Sequence, residues 1–250
     1  MVGGSSDWWQ ERLCHWSPHF SGTTKKDRKS ALTLLFVWPA FRHVPHFGHT
    51  TREKPMPFTL PLGSPAPDFT LAGVDGRVYR PSDWSSQLLV LFFTCNHCPY
   101  VVGSENLTRK IAARYADKGV QFVAISSNSP HTYPEDRFAV MVQRAEENPF
   151  PWPYLYDADQ SVARAYGALR TPHFYLFDRD HRLRYCGHQF AAPRHASEQD
   201  ADRLVEALED LLAGHEVRTP LTNPIGCNVK WEGQDAHWMP PEACDLVPRS

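Results

Sequence analysis

Cys95, Asn96, His97 and Cys98 set two thiols three positions apart, with Pro99 directly after the second. They follow an unbroken apolar run, Leu88-Leu89-Val90-Leu91-Phe92-Phe93, and open a stretch with helical periodicity. A covered strand that ends in C-x-x-C and turns into a helix is the layout of a thiol–disulfide redox site. Proline is favoured at the first helical position, so Pro99 makes Cys98 the cap residue. The partial positive charge and unpaired N–H groups of a helix start favour thiolate over thiol. Thiolate is the form that attacks disulfides and peroxides. Cys98 is therefore read as a solvent-reachable nucleophile and Cys95 as its resolving partner, with the reverse order left open. His97 could add positive charge beside the thiol, or be a solvated loop histidine.

The elements that must hold this pair are legible from the pattern. Residues 68–72 read as a short strand, Gly73-Val74-Asp75-Gly76 as a turn, and residues 77–79 as its hairpin return. Residues 88–93 and 120–127 read as core strands covered on both faces. Between them, residues 99–118 predict a helix with Leu107, Ile111 and Tyr115 inward and Gly119 as its stop. A second helix is expected over 135–147, a strand over 154–156 and a short helix over 161–166, with Asp157-Ala158-Asp159 as its cap. Residues 173–178 and 183–187 form a hairpin. Residues 198–213 close as an amphipathic helix with Leu204, Ala207, Leu208 and Leu211 buried.

This order is that of an α/β, thioredoxin-like fold: a central mixed sheet flanked by helices, with an N-terminal hairpin extension. In such chains a cis proline beside the redox cysteines presents the preceding residue's backbone to an extended substrate. Thr171-Pro172, just before the hairpin, holds that position, and a cis bond is expected there. Residues 61–190 resemble the alkyl hydroperoxide reductase/thiol-specific antioxidant (peroxiredoxin-like) branch of the thioredoxin superfamily. The matching pieces are Gly63-Ser64-Pro65-Ala66-Pro67-Asp68-Phe69, Cys95-Asn96-His97-Cys98-Pro99-Tyr100-Val101, Tyr166-Gly167-Ala168 and Thr171-Pro172. The Cys-Asn-His-Cys-Pro-Tyr-Val string, with Gly226-Cys227-Asn228-Val229-Lys230-Trp231 downstream, is similar to one subgroup of that branch.

The resemblance implies redox chemistry at Cys98, Cys95, Thr171 and Pro172. The departures from it are specific. Peroxiredoxins carry a threonine three residues and a proline seven residues before their reactive cysteine; here Cys95 and Leu91 stand there, with Thr94 one place off. Relatives often have a cysteine before the Thr-Pro, where this chain has Arg170, which could steady a thiolate or lie on the surface. Cys227 could be a further redox partner or an inert thiol. Cys186 reads as core, and Cys14 and Cys244 receive no role.

The leading expectation is a thiol–disulfide oxidoreductase acting on protein or small-molecule disulfides, re-reduced by a thioredoxin- or glutathione-type donor. The alternatives are a thiol peroxidase with Cys98 as peroxidatic cysteine, and a copper-binding chaperone. Cysteine and imidazole suit copper and zinc, but no second ligand pair stands at matching spacing, so neither a metal nor a cofactor is assigned. A net charge of −2 gives no reason to expect nucleic acid or membrane as a partner.

Composition divides the chain of 250 residues. Residues 1–55 carry eight Lys and Arg against four Asp and Glu, hold half of the tryptophans, and show no sustained period. They are expected to be a disordered extension or sequence from a non-native upstream start. Residues 56–215 form the domain and 216–250 a proline-rich tail, lying over the domain or hanging free. Residues 31–41, after Lys25-Lys26-Asp27-Arg28-Lys29, imitate a signal peptide but start late and lack a small-residue cleavage site. With six cysteines in a chain of this size, a cytoplasmic protein is expected.

Overall fold

The computed structural model describes residues 58–85 and 87–247, and the expectation for residues 1–55 lies outside the described residues. The described residues begin with the short strands β1 (Leu71–Gly73) and β2 (Val78–Tyr79), then β3 (Leu88–Thr94), α1 (Pro99–Ala116) and β4 (Val120–Ser126). There follow α2 (Phe138–Glu147), β5 (Tyr154–Tyr156), α3 (Ser161–Tyr166), β6 (Arg170–Thr171) and β7 (His173–Phe177). The last elements are β8 (Leu183–Gly187), α4 (Arg203–Leu212) and β9 (Cys227–Asn228). The main sheet runs β2-β1-β5-β4-β3-β7-β8, with β3, β4 and β5 parallel and the β7–β8 hairpin antiparallel. This is the thioredoxin-like arrangement that the order of strands and helices implies.

Strand alternation builds two cores. Leu89, Leu91 and Phe93 face α3, while Leu88, Val90 and Phe92 face α1, α2 and α4. All six are at most 4% exposed, so β3 is covered on both sides, as its unbroken apolar run requires. Burying each such side chain contributes roughly 1.5–3 kcal/mol, which fixes β3 and so the loop that leaves it at Thr94.

Three expected details differ. The inward stripe of α1 is Val101, Ser104, Thr108, Ala112 and Tyr115, while Leu107 and Ile111 are only half-buried. The small and hydroxylated residues go inward because α1 satisfies them itself: Ser104 Oγ donates to the Tyr100 carbonyl at 2.9 Å and Thr108 Oγ1 to that of Ser104 at 3.1 Å. The helix expected from residue 135 is a 3-10 turn, Pro134–Asp136, broken from α2 by the extended backbone of Arg137. The last helix starts at Arg203, where Asp202 caps it by accepting from Val205 N.

The tail lies over the α3 face. Val229 and Trp231 are buried in that core, and the Arg164 guanidinium stacks 4.6 Å from the Trp231 ring. Lys230 N donates to Asn128 Oδ1 at 2.9 Å, and the Lys230 carbonyl accepts from Ser129 N at 2.7 Å and Gln160 Nε2 at 2.8 Å. These bonds satisfy backbone that would otherwise be buried without partners. Among the described residues no helix is long and apolar enough to cross a membrane.

Candidate active site

The carboxyl end of β3 delivers Cys95, and α1 begins with Cys98 as its N-cap and Pro99 after it, as expected. The Thr171–Pro172 peptide is cis, also as expected. It brings β6 against the motif: the Thr171 carbonyl lies 3.1 Å from Cys98 Sγ, and its hydroxyl 3.5 Å from Cys95 Sγ. Cys95, Cys98, Thr171 and Pro172, far apart in sequence, therefore meet.

Cys227 meets them too. β9 pairs antiparallel with β6, Thr171 opposite Cys227 and Arg170 opposite Asn228. Gly226 permits the approach, since a Cβ there would sit 2.1 Å from the Thr171 carbonyl oxygen. Cys227 joins Tyr100 in packing on the cluster of Cys95, Cys98 and Val101. Both motif sulfurs are consequently 0% exposed. The expectation of a solvent-reachable sulfur fails: Thr171, Tyr100 and Cys227 pack against the pair.

The acidities of the three thiols diverge. Cys98 is held well below the usual thiol range, first by the hydrogen bond from the Cys227 side chain and then by that from Cys95, against the opposing effect of burial. The Cys227 and Val101 backbone N–H groups add to this. The Thr171 carbonyl, an acceptor for the Cys98 thiol, opposes ionisation, but several donors converge on one sulfur and outweigh a single carbonyl. Burial, and then donation to Cys98, push Cys95 up; donation to Cys98, and then burial, push Cys227 up.

His97 is held by Tyr133 and Asp136. Its ring stacks on Tyr133 at 3.9 Å between centroids, and Nδ1 lies 2.8 Å from Asp136 Oδ2, an ion-pair approach without hydrogen-bond alignment. Asp136 is 0% exposed and also accepts from Asn96 N at 2.8 Å and Asn128 Nδ2 at 2.9 Å. Asp136 thus clamps the loop between the cysteines and links it, through Asn128, to the tail at Lys230. Nothing in the Pro134-Glu135-Asp136 run marked it; it reads there as a helix start. Arg170 binds the Asn228 side chain, and its charge acts on Cys227. Cys186 is core, as expected, with Sγ 3.2 Å from His173 Nε2. Asp157 and Asp159 cap α3, accepting from Val162 and Ala163 and from Ser161.

Among the described residues, Cys95 Sγ, a His97 ring nitrogen and an Asp136 oxygen lie within 4.8 Å of one another and form a group that could hold a metal ion. Each is already engaged, Cys95 with Cys98 and Thr171 and His97 with Asp136.

The Redoxin family model matches residues 61–205, leaving β9 outside the matched segment. The chain is 25% identical over 123 residues to the thiol-disulfide oxidoreductase ResA of Geobacillus thermodenitrificans, covering 49% of this chain and 67% of that protein. It is 20% identical over 153 residues to ResA of Bacillus thuringiensis, covering 61% and 82%. Among solved structures, a hypothetical protein from Sinorhizobium meliloti is 36% identical, with a TM-score of 0.65, covering 70% of this chain and 97% of that one. An uncharacterized conserved protein from Geobacillus kaustophilus is 41% identical, with a TM-score of 0.64, covering 70% and 94%.

Proposed function

Because the chain belongs to the Redoxin family, we propose that it is a thiol–disulfide oxidoreductase, the activity named for its ResA relatives, with Cys98 as the attacking sulfur and Cys95 as the releasing one. The observation that carries this is the single depressed thiol at the N-cap of α1, beside a second thiol and the cis Thr171–Pro172 edge.

The Cys98 thiolate attacks one sulfur of a substrate disulfide, and the other leaves as a thiolate that takes up a proton. A mixed disulfide now joins Cys98 to the substrate. The negative charge beside Cys95 is gone, so one cause of its high pKa goes with it. Cys95 then loses its proton and attacks Cys98 Sγ. The substrate's remaining sulfur departs, and the Cys95–Cys98 disulfide waits for an external thiol donor. Thr171 is a positioning residue here: its hydroxyl can donate to Cys95 as the proton leaves.

The substrate is a protein disulfide: an extended chain would pair with the Thr171 backbone before the cis proline, and β9, which holds that edge, must leave it for the substrate to reach the buried Cys98. Trapping tests this. Cys95→Ser is expected to accumulate a mixed disulfide with a reducible protein, and Cys98→Ser to lose turnover. Fast peroxide consumption that disappears in Cys98→Ser, with no disulfide turnover, would replace this reading with a peroxidase.

A further inference from the structure

We propose that residues 226–228 are a tethered substrate strand, and that Cys227 is a third redox thiol that takes a disulfide with Cys98. The inference rests on Cys98 being the reactive sulfur, and goes beyond it in assigning the tail a place in the chemistry.

Position carries the argument. In this fold the backbone before the cis proline is where an extended substrate lies. Here that backbone is paired already: β9 runs antiparallel to β6 with Cys227 opposite Thr171. The pairing puts a cysteine where a substrate's reacting cysteine would sit, against the Cys95–Cys98–Val101 cluster. A residue with a side chain at 226 would hold the strand off, and glycine brings it to the Thr171 carbonyl. The tail has reason to stay: Trp231 and Val229 are buried, and Lys230 is bonded through backbone on both sides. Cys95 and Cys98 lie in one buried cluster, and Cys227 packs against it.

The chemistry balances without a further oxidant. Substrate turnover leaves a Cys95–Cys98 disulfide. Cys227 loses its proton and attacks Cys98 Sγ; the Cys98–Cys227 bond forms, the Cys95–Cys98 bond breaks, and Cys95 leaves with the electron pair and takes the proton. The timing has an electrostatic cause. While Cys98 is a thiolate, Cys227 donates to it and stays protonated. Once Cys98 is oxidised, its hydrogen bond and charge no longer hold the Cys227 proton; burial still opposes ionisation, and the positive charges of Lys230 and Arg170 act against it. The resulting disulfide pins β9 onto β6 and closes the substrate edge until a donor thiol reduces it.

The test is peptide mapping of the full chain oxidised with excess oxidised glutathione, acid-quenched, alkylated and digested with trypsin. Cys95 and Cys98 share one tryptic peptide, so their disulfide is an internal loop, whereas Cys98–Cys227 joins two peptides. The joined peptide is expected in the wild type, enriched in Cys95→Ser, and lost in Cys98→Ser and in Cys227→Ser. An internal loop with protein-disulfide turnover, but no joined peptide in the wild type or in Cys95→Ser, overturns the proposal and leaves the oxidoreductase reading intact. Absence of both disulfides, with no turnover, sinks that reading as well. A joined peptide that persists in Cys98→Ser assigns the bond to Cys95 and overturns the proposal.

Discussion

Replacing Cys227 by alanine removes the side chain with the largest influence on the acidity of Cys98. A hydrogen bond to a charged group contributes about 1.5–3 kcal/mol, and a pKa unit corresponds to about 1.36 kcal/mol. A thiol is a weak donor and the Cys227 N–H remains, so the lower end applies: the Cys98 pKa should rise by about 1 unit. The start of α1 contributes about 0.3–1 kcal/mol, less than one unit, and is unchanged in the variant. The thiolate's ultraviolet absorbance reports this without requiring access to a buried sulfur. The signal of Cys98 is obtained by subtracting Cys98→Ser in each background. Cys227→Ser, which keeps a hydroxyl donor, should recover most of the shift. A depressed pKa means that thiolate dominates through neutral pH and is lost only in acid; in Cys227→Ala that loss should begin at higher pH. A midpoint within about 0.3 unit of the wild type would show that Cys227 does not hold the thiolate, and that Cys95 and the helix start suffice.

Gly226→Ala places a Cβ 2.1 Å from the Thr171 carbonyl oxygen, so β9 should leave β6; the Cys98–Cys227 peptide should disappear while the Cys95–Cys98 loop still forms, and an undiminished joined peptide would refute the close-packing argument. Trp231→Ala removes a buried indole worth about 3–5 kcal/mol and should undock the tail rather than unfold the sheet: hydrogen exchange at Lys230 N should accelerate by at least about 100-fold, with β3 amides unchanged. Asp136→Ala strands the Asn96 and Asn128 donors and should cost about 2–4 kcal/mol in urea unfolding; Asp136→Asn, which keeps an acceptor, should cost less, and equal losses would count against the clamp. Burial pushes the Asp202 carboxyl up to about 6, so its protonated form is favoured in the fold: that contribution is full below the ordinary carboxylate range and is lost as pH rises through about 6. The urea midpoint of the wild type relative to Asp202→Asn should accordingly fall between pH values on either side of about 6, and a constant difference would refute the assignment.

Local rules determined much of this protein. The apolar run at 88–93 demanded a strand covered on both faces, and Pro99 demanded that a helix begin there with Cys98 as its cap; both hold because covered-strand patterning and proline geometry act over a few residues. The paired cysteines, the Thr171–Pro172 edge and the order of the elements were legible for the same reason. What the sequence left open depended on contacts between distant segments. Whether the tail lay on the domain turned on Trp231 finding the α3 core and Lys230 finding Asn128 and Gln160. Asp136 looked like one more acidic residue at a helix start until folding placed it beneath Asn96 and His97. For Cys227 the sequence left a further redox partner and an inert thiol both open; it stands against the Cys95–Cys98 cluster because β9 pairs with β6 at Thr171. Acidity and burial are set by whatever tertiary packing brings within a few ångströms, so the Cys95–Cys98 pair could be read along the chain, while the approach of Cys227 and the burial of the pair were fixed only in three dimensions.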